Sequence, residues 1–391
     1  GGVALPVISI ITIALSGTDM RDLVSRAGKS FGIVFSVMVY LSIGAFYALP
    51  RTGAVSFSTA IAPVIHSTSF MSSMIFNALF FGLALFLSWN PRQIVNHLGK
   101  ILTPVLLVLL VLLVFLSLAK LPPSEVAPVG QYVHAPLTAG LLDGYMTMDS
   151  IAALAFGIIV VASFDQGEGG ISGAKLIRRT SAAGLIAGIL LGLVYVGLGL
   201  IGHVIPGGQN YTDGATLLAD ASHITMGTAG QLVFGLIVLT ACMTTAVGLL
   251  AATSEFFERL LPKITYKMWL VGFTIISFVL ASAGLSTVLK VAVPIITFLY
   301  PIAISIVFIT ILTHPLHYSM QVRWTFRLGV WVASIWSFLT TVISFGTLDF
   351  IAPLLAWSPG QDLQIGWILP TVVAALIGFM IDLVFSKRTH V

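Results

Sequence analysis

Gly144-Tyr145-Met146-Thr147-Met148-Asp149-Ser150 sets a carboxylate, hydroxyls and a helix-breaking glycine inside a hydrophobic stretch long enough to cross a bilayer. An ionisable side chain in hydrocarbon costs about 2.5 to 3.5 kcal/mol on insertion scales, so such groups usually face a cavity or a pathway. Asp149 is a candidate for that role; its alternatives are a place at the membrane interface or a bond to neighbouring backbone. The span 141–164 opens Leu141-Leu142-Asp143-Gly144 and becomes continuously apolar only after Ser150, the pattern of an interrupted helix. A break leaves N–H groups at one half-helix start and carbonyls at the other half-helix end, poles that suit a carboxylate and a cation. Gly144, Tyr145, Met146, Thr147 and Asp149 would then line a binding site, although a glycine in a membrane helix also serves for packing.

A second cluster is Ala241-Cys242-Met243-Thr244-Thr245 within span 229–257, followed by Gly248 and by Ser254-Glu255. Sodium is a hard cation that wants oxygens. Ala241 offers a carbonyl, and Thr244 and Thr245 offer hydroxyls one turn later. Threonines on a membrane helix also bond back to their own carbonyls or join neighbouring helices. Pro294 and Pro301 predict a kink or gate in span 288–312, with Thr297 and Tyr300 beside it. Phe46-Tyr47-Ala48-Leu49-Pro50-Arg51 is expected to end the span 30–50 near the outer face, as a gate, as packing or as an interface anchor.

Several chemistries lack their residues. The eight histidines are scattered, with no H-E-x-x-H and no Cys/His cluster, so no metal centre other than a sodium site is indicated. There is no Walker A motif, dinucleotide fingerprint or G-x-S-x-G elbow, which argues against ATP drive, a cofactor or hydrolysis. An intramembrane enzyme using Asp149 with a histidine needs a second group at the same depth, and the histidines lie at loops and span ends. Cys242 is the single cysteine, with a packing role expected. Gly167-Glu168-Gly169-Gly170 reads as a turn between helices.

The elements that must hold these groups are membrane helices. Of 391 residues 58% are hydrophobic and 8% charged, against about 25% charged in a soluble domain. Spans are predicted at 1–17, 30–50, 71–89, 101–119, 141–164, 181–205, 229–257, 268–284, 288–312, 328–346 and 365–385. All but Arg51, Lys120 and Lys290 of the 18 Lys and Arg fall in alternate loops or at the C-terminus. These are Arg21, Arg26 and Lys29; Arg92 and Lys100; Lys175, Arg178 and Arg179; Arg259, Lys263 and Lys267; Arg323 and Arg327; and Lys387 and Arg388. The rich side is cytoplasmic, so the C-terminus is inside and residue 1 outside. The outer loops 206–227 and 347–364 carry Asp213, Asp220, Asp349 and Asp362 and no Lys or Arg. Charge scattered this way orients helices and excludes nucleic-acid binding.

The proline-bearing stretch 120–140 (Pro122, Pro123, Pro128, Pro136) reads as a stiff extracellular connector. Four spans precede it, and five and then two follow. The chain opens Gly1-Gly2-Val3-Ala4-Leu5-Pro6, without an initiator methionine or a signal peptide, and is read as beginning partway through a protein. One further helix ahead of it gives five plus five plus two, the layout of inverted-repeat transporters. The expected domains are 1–119 as the first repeat, helices two to five; 120–140 as connector; 141–312 as the second repeat, helices six to ten; and 313–391 as two additional helices.

Tyr47-Ala48-Leu49-Pro50-Arg51-Thr52-Gly53-Ala54-Val55-Ser56-Phe57, Gly144 to Asp149, Ala241 to Leu249 with Glu255-Phe256-Phe257, and Tyr300-Pro301 resemble the bacterial branched-chain amino acid:cation symporter family. The resemblance spans essentially the whole chain in order. It implies an all-α polytopic membrane protein with the five-plus-five, leucine-transporter-like fold of the amino acid, polyamine and organocation superfamily. It also implies uptake of leucine, isoleucine and valine across the inner membrane, driven by sodium as coupling ion. The family's first helix, with its glycine-rich break, lies upstream of the stretch matched here. By the resemblance, Ala241, Thr244 and Thr245 match the eighth-helix sodium ligands, and the broken sixth helix carries substrate contact over to Gly144 to Asp149, with Tyr47 a further substrate candidate. Proton coupling, other small apolar amino acids, or a sensor that binds without transporting are the alternatives. Oligomeric state is not legible.

Overall fold

Apolar stretches of this length cannot leave backbone polar groups unpaired in lipid, and helices satisfy them within one segment. The structure, a computed structural model, describes residues 2–89, 94–122, 127–165, 174–211, 213–318, 322–346 and 349–386. Arg92, Pro123, the Gly167 to Gly170 turn, Lys387 and Arg388 lie outside the described residues. In chain order the α-helices are α1 (Ala4–Ser16), α2 (Met20–Ser25), α3 (Lys29–Leu41), α4 (Ala48–Ser56), α5 (Ala62–Ile65), α6 (Phe70–Ser88), α7 (Ile94–Lys120), α8 (Pro136–Tyr145), α9 (Asp149–Asp165), α10 (Ala174–Val204), α11 (Gly214–Leu260), α12 (Tyr266–Ser282), α13 (Leu285–Thr313), α14 (Trp324–Ser344), α15 (Ala352–Leu355) and α16 (Ile368–Ser386).

Among the described residues, seven helical elements are long and apolar enough to cross a membrane: Lys29–Ile65, Phe70–Ser88, Lys175–Val204, Gly214–Leu260, Leu285–Leu316, Trp324–Ser344 and Ile368–Phe385. Shorter apolar helices cover Ala4–Ser16, Pro104–Lys120 and Tyr266–Ser282, and α8 with α9 supplies the remaining expected span. Several elements differ from the sequence reading, among them α8, which begins at Pro136 inside the stretch expected as connector. The span expected to stop at Pro50 continues to Ile65 through π-helical turns at Ser42–Phe46 and Phe57–Ile61. The outer loop expected over 206–227 is helical from Gly214, and α11 then turns at Gly227 (φ 71°, ψ −174°), a backbone shape that only glycine adopts readily. In 288–312 neither Pro294 nor Pro301 interrupts the helix, and α13 runs through both.

The chain divides into two compact units that draw on alternating stretches, a partition different in kind from a sequence repeat. The first comprises 1–39, 128–190 and 293–391. Here α1 meets α9 through small residues: a Cβ on Gly157 would lie 3.2 Å from Ile13, and the buried Ser9 and Ser150 hydroxyls are 2.9 Å apart. The indole of Trp331 on α14 donates to the Ala27 carbonyl at 3.1 Å. Close approach of α16 to the start of α14 requires Gly378, whose Cβ would fall 2.4 Å from the Trp324 carbonyl oxygen.

The second unit comprises 40–127 and 191–292. Leu113, Ile201, Ile205, Ala221 and Phe234 form a buried core where α7, α10 and α11 pack. At the Gly227 turn the freed Thr225 carbonyl accepts from Lys120 Nζ at 2.5 Å, a cation at a helix C-terminus. The Tyr266 hydroxyl donates to the Ser88 carbonyl at 2.8 Å and fixes the start of α12 to the end of α6.

Candidate functional site

In the first unit the expected interruption falls at Met146–Met148, just after Gly144, which is still helical. α8 starts with Pro136 in its first turn, where the missing N–H costs nothing. It closes when the Met146 N–H donates to the carbonyls of Leu142 and Asp143 at 3.2 and 3.1 Å. Met148 is then held left-handed at φ 64°, a conformation that costs a residue with a Cβ about 1 to 2 kcal/mol. That turn is stabilised by burial of the Met148 side chain, which is 3% exposed, and by the Ala152 N–H, which donates to the Met148 carbonyl at 2.9 Å. α9 begins at Asp149, a half-buried carboxylate in the first turn, where the helix dipole favours negative charge. The Thr147 hydroxyl donates to the Gly144 carbonyl at 2.8 Å.

The break borders a cavity of about 230 Å³ lined by Asp143, Tyr145, Met146, Thr297, Tyr300, Pro301, Gln364 and Trp367, among others. Tyr145 stacks on Tyr300 with ring centroids 5.5 Å apart and planes 22° from parallel. Pro301 has no N–H for the Thr297 carbonyl four residues earlier. The Ser337 hydroxyl of α14 takes its place, donating to the carbonyls of Phe298 at 2.6 Å and Thr297 at 3.2 Å, so α13 stays helical. Tyr145, Ile304 and Trp367 also wall an adjoining apolar cleft of about 570 Å³ that reaches Phe308, Leu312, Leu376 and Phe379. On the rim, the Tyr132 hydroxyl donates to the Asp143 carboxylate, and this bond pushes the phenol up to about 12 from 10.0.

Of the sequence candidates, Tyr145 and Met146 line the cavity, whereas Gly144, Thr147 and Asp149 shape the break beside it. Tyr47, Ala241, Thr244 and Thr245 belong to the second unit. There the Thr244 and Thr245 hydroxyls both donate to the Ala241 carbonyl, at 2.8 and 3.0 Å. Three oxygens are thus gathered on one side of α11 by bonds within the helix, with Thr245 exposed. Tyr47, 2% exposed, sits where the π-helical turn meets α4, and its hydroxyl accepts from Arg51 Nη1 at 2.8 Å. Cys242 is half-buried.

Sequence reasoning overlooked Gln364 and Trp367 as cavity walls, since nothing in their local pattern points inward. It also overlooked Asp382, though a carboxylate within the last apolar span was a visible signal. Asp382 is 3% exposed and accepts from the Trp324 N–H, the Thr325 N–H and the Thr325 hydroxyl at 2.9, 2.9 and 2.8 Å.

A solved structure titled as the inward-facing conformation of Mhp1 superposes with a TM-score of 0.55 at 14% identity, covering 98% of this chain and 82% of that one. This likeness shows the leucine-transporter-like fold. The branched-chain amino acid permease BrnQ of Corynebacterium glutamicum is 48% identical over 380 residues, 97% of this chain and 85% of that protein. The permease BraB of Bacillus subtilis is 33% identical over 385 residues, 98% and 86% respectively. A family model described as branched-chain amino acid transport protein matches residues 1–385. Agreement of this extent along one sequence means that the chain belongs to the branched-chain amino acid transport protein family.

Proposed function

We propose that the chain is a secondary active symporter importing leucine, isoleucine and valine together with sodium, by alternating access across the bacterial inner membrane, with its C-terminus cytoplasmic. The observation that carries this reading is the helix break at Met146–Met148 beside a small cavity, in a chain from a family of transport proteins. Two relatives named as branched-chain amino acid permeases support the substrate class. At about 30 Å³ per water, 230 Å³ holds about eight waters, the bulk of one small amino acid and not of a peptide. The oxygens gathered at Ala241, Thr244 and Thr245 support a hard monovalent cation: rotated outward, each hydroxyl presents lone pairs that the helix does not use. The asymmetry of Lys and Arg supports the orientation.

Proton coupling is the second reading, favoured by the half-buried Asp149 carboxylate at the break. Reconstitution in liposomes separates the two. Labelled leucine is expected to accumulate under an inward sodium gradient, and Thr245→Ala to raise the sodium concentration needed. Accumulation that follows a proton gradient alone, and is lost in Asp149→Asn, would move the coupling to protons. Binding without accumulation under either gradient would make the chain a sensor.

A further inference from the structure

Arg51 stands inside a membrane span. The sequence places it at the outer end of the helix over 30–50, where an arginine is inexpensive, but the helix passes through it and continues to Ile65. Its depth follows from its neighbours in the second unit. Gly53 packs so closely on α6 that a Cβ would lie 2.3 Å from Asn77 Oδ1 and 2.7 Å from Phe81 Cε2. Asn77 and Phe81 occupy the middle of the 19-residue α6. On the other side, the Ser56 hydroxyl donates to the Thr52 carbonyl at 2.7 Å, and α4 packs against α11, where Cys242, midway along the part that follows Gly227, lies near Ser56 and Arg51.

A guanidinium at that depth is costly unless it is paired or meets a ligand. Its partner here is Tyr47: Nη1 donates to the hydroxyl at 2.8 Å, and the guanidinium carbon lies 5.5 Å from the ring centroid. A neutral phenol orients the charge without cancelling it. Among the described residues Arg51 forms no ion pair with a carboxylate, and the side chain is exposed. Tyr47 itself is buried and is set by an irregular backbone, with Gly44 at φ −86°, ψ −113° and Tyr47 at φ −140°, ψ −72°. Gly44 is required there, since a Cβ would fall 2.7 Å from Thr253 Oγ1. The result is an oriented planar fork with unused N–H donors, the geometry that takes a carboxylate in two parallel bonds. Lipid phosphates lie at the headgroups, away from mid-span, whereas the carboxylate of a transported amino acid comes to that depth.

We infer that Arg51, aimed by Tyr47, receives the carboxylate of the transported amino acid. This rests on the reading of the chain as an amino acid transporter and adds to it a recognition element for one end of the substrate. The test uses two fragments of leucine against the full chain in liposomes: 4-methylpentanoate, which keeps the carboxylate, and 3-methylbutylamine, which keeps the amine. Each is titrated against bound labelled leucine. Arg51→Gln is expected to weaken displacement by 4-methylpentanoate by about tenfold or more, the worth of a charge-assisted bond, and to leave 3-methylbutylamine unchanged. Arg51→Lys should fall between, because it keeps the charge and loses the fork. Equal weakening of both fragments, or of neither, overturns the inference. Should Arg51→Gln fail to fold, Tyr47→Phe must give the same selectivity in smaller measure, and a uniform effect there overturns it equally. Thermal stabilisation by 4-methylpentanoate, present in the wild type and lost in Arg51→Gln, reads the same contact without transport. Failure of the wild type to bind or accumulate leucine would therefore overturn the proposed function alone.

Discussion

Replacing Asp382 by alanine removes the group that joins the end of α16 to the start of α14. In the structure the carboxylate accepts three hydrogen bonds of 2.8 to 2.9 Å, two from backbone N–H groups at the opening of α14 and one from the Thr325 hydroxyl. The first N–H groups of a helix have no partner within it, so the carboxylate acts as an N-cap supplied by another helix. Capping side chains are worth about 1 kcal/mol, and bonds to a charged acceptor about 1.5 to 3 kcal/mol. Stranding these donors at a 3%-exposed position should cost about 3 to 4 kcal/mol in all. In a protein of this size that lowers the melting temperature by about 4 to 5 °C. Asp382→Asn keeps one acceptor oxygen and turns an NH2 toward the Thr325 N–H, so it should lose about half as much. The assay is thermal unfolding of purified protein followed by size-exclusion chromatography, with Thr325→Val completing a double-mutant cycle. An Asp382→Ala protein that melts with the wild type, or a cycle whose single effects simply add, would refute the idea that the carboxylate holds the α14 start.

The Tyr132 phenol, raised to about 12 by its bond to Asp143, gives a pH dependence whose sign is fixed. The folded state keeps this proton longer than the unfolded chain does, so the stabilisation is complete below pH 10.0 and disappears as pH rises through about 12. Phenolate absorbance of the wild type minus that of Tyr132→Phe should rise late, and an ordinary tyrosine inflection in that difference would contradict it. Gly53→Ala places a Cβ against Asn77 and Phe81, which are 0% and 1% exposed, and should cost about 1 to 3 kcal/mol in a thermal melt. Gly272→Ala on α12, with nothing within 4 Å of its Cβ, should be neutral or slightly stabilising; matching losses in the two would show that close packing at Gly53 is not the cause.

Sequence alone determined that the chain is a membrane-helix protein, approximately where each span lies, and that the helix beginning near 141 is interrupted. Lipid makes these properties local: each segment must be apolar along its length and must satisfy its own backbone, so hydropathy and a glycine among polar residues are direct signals. The same locality revealed that Ala241, Thr244 and Thr245 share one side of a helix, since a turn fixes their spacing. What tertiary structure decided was depth and company. Arg51 reads as an interface residue until Gly53 is seen packed on the middle of α6. Pro301 leaves a carbonyl free, and only the fold shows that Ser337, a distant residue, takes it over. Trp367 and Gln364 become walls of the Tyr145 cavity, and Asp382 becomes the cap of α14, through contacts between segments far apart in the chain. Such pairings leave no periodic trace in either segment, because the groups they satisfy belong to a different helix.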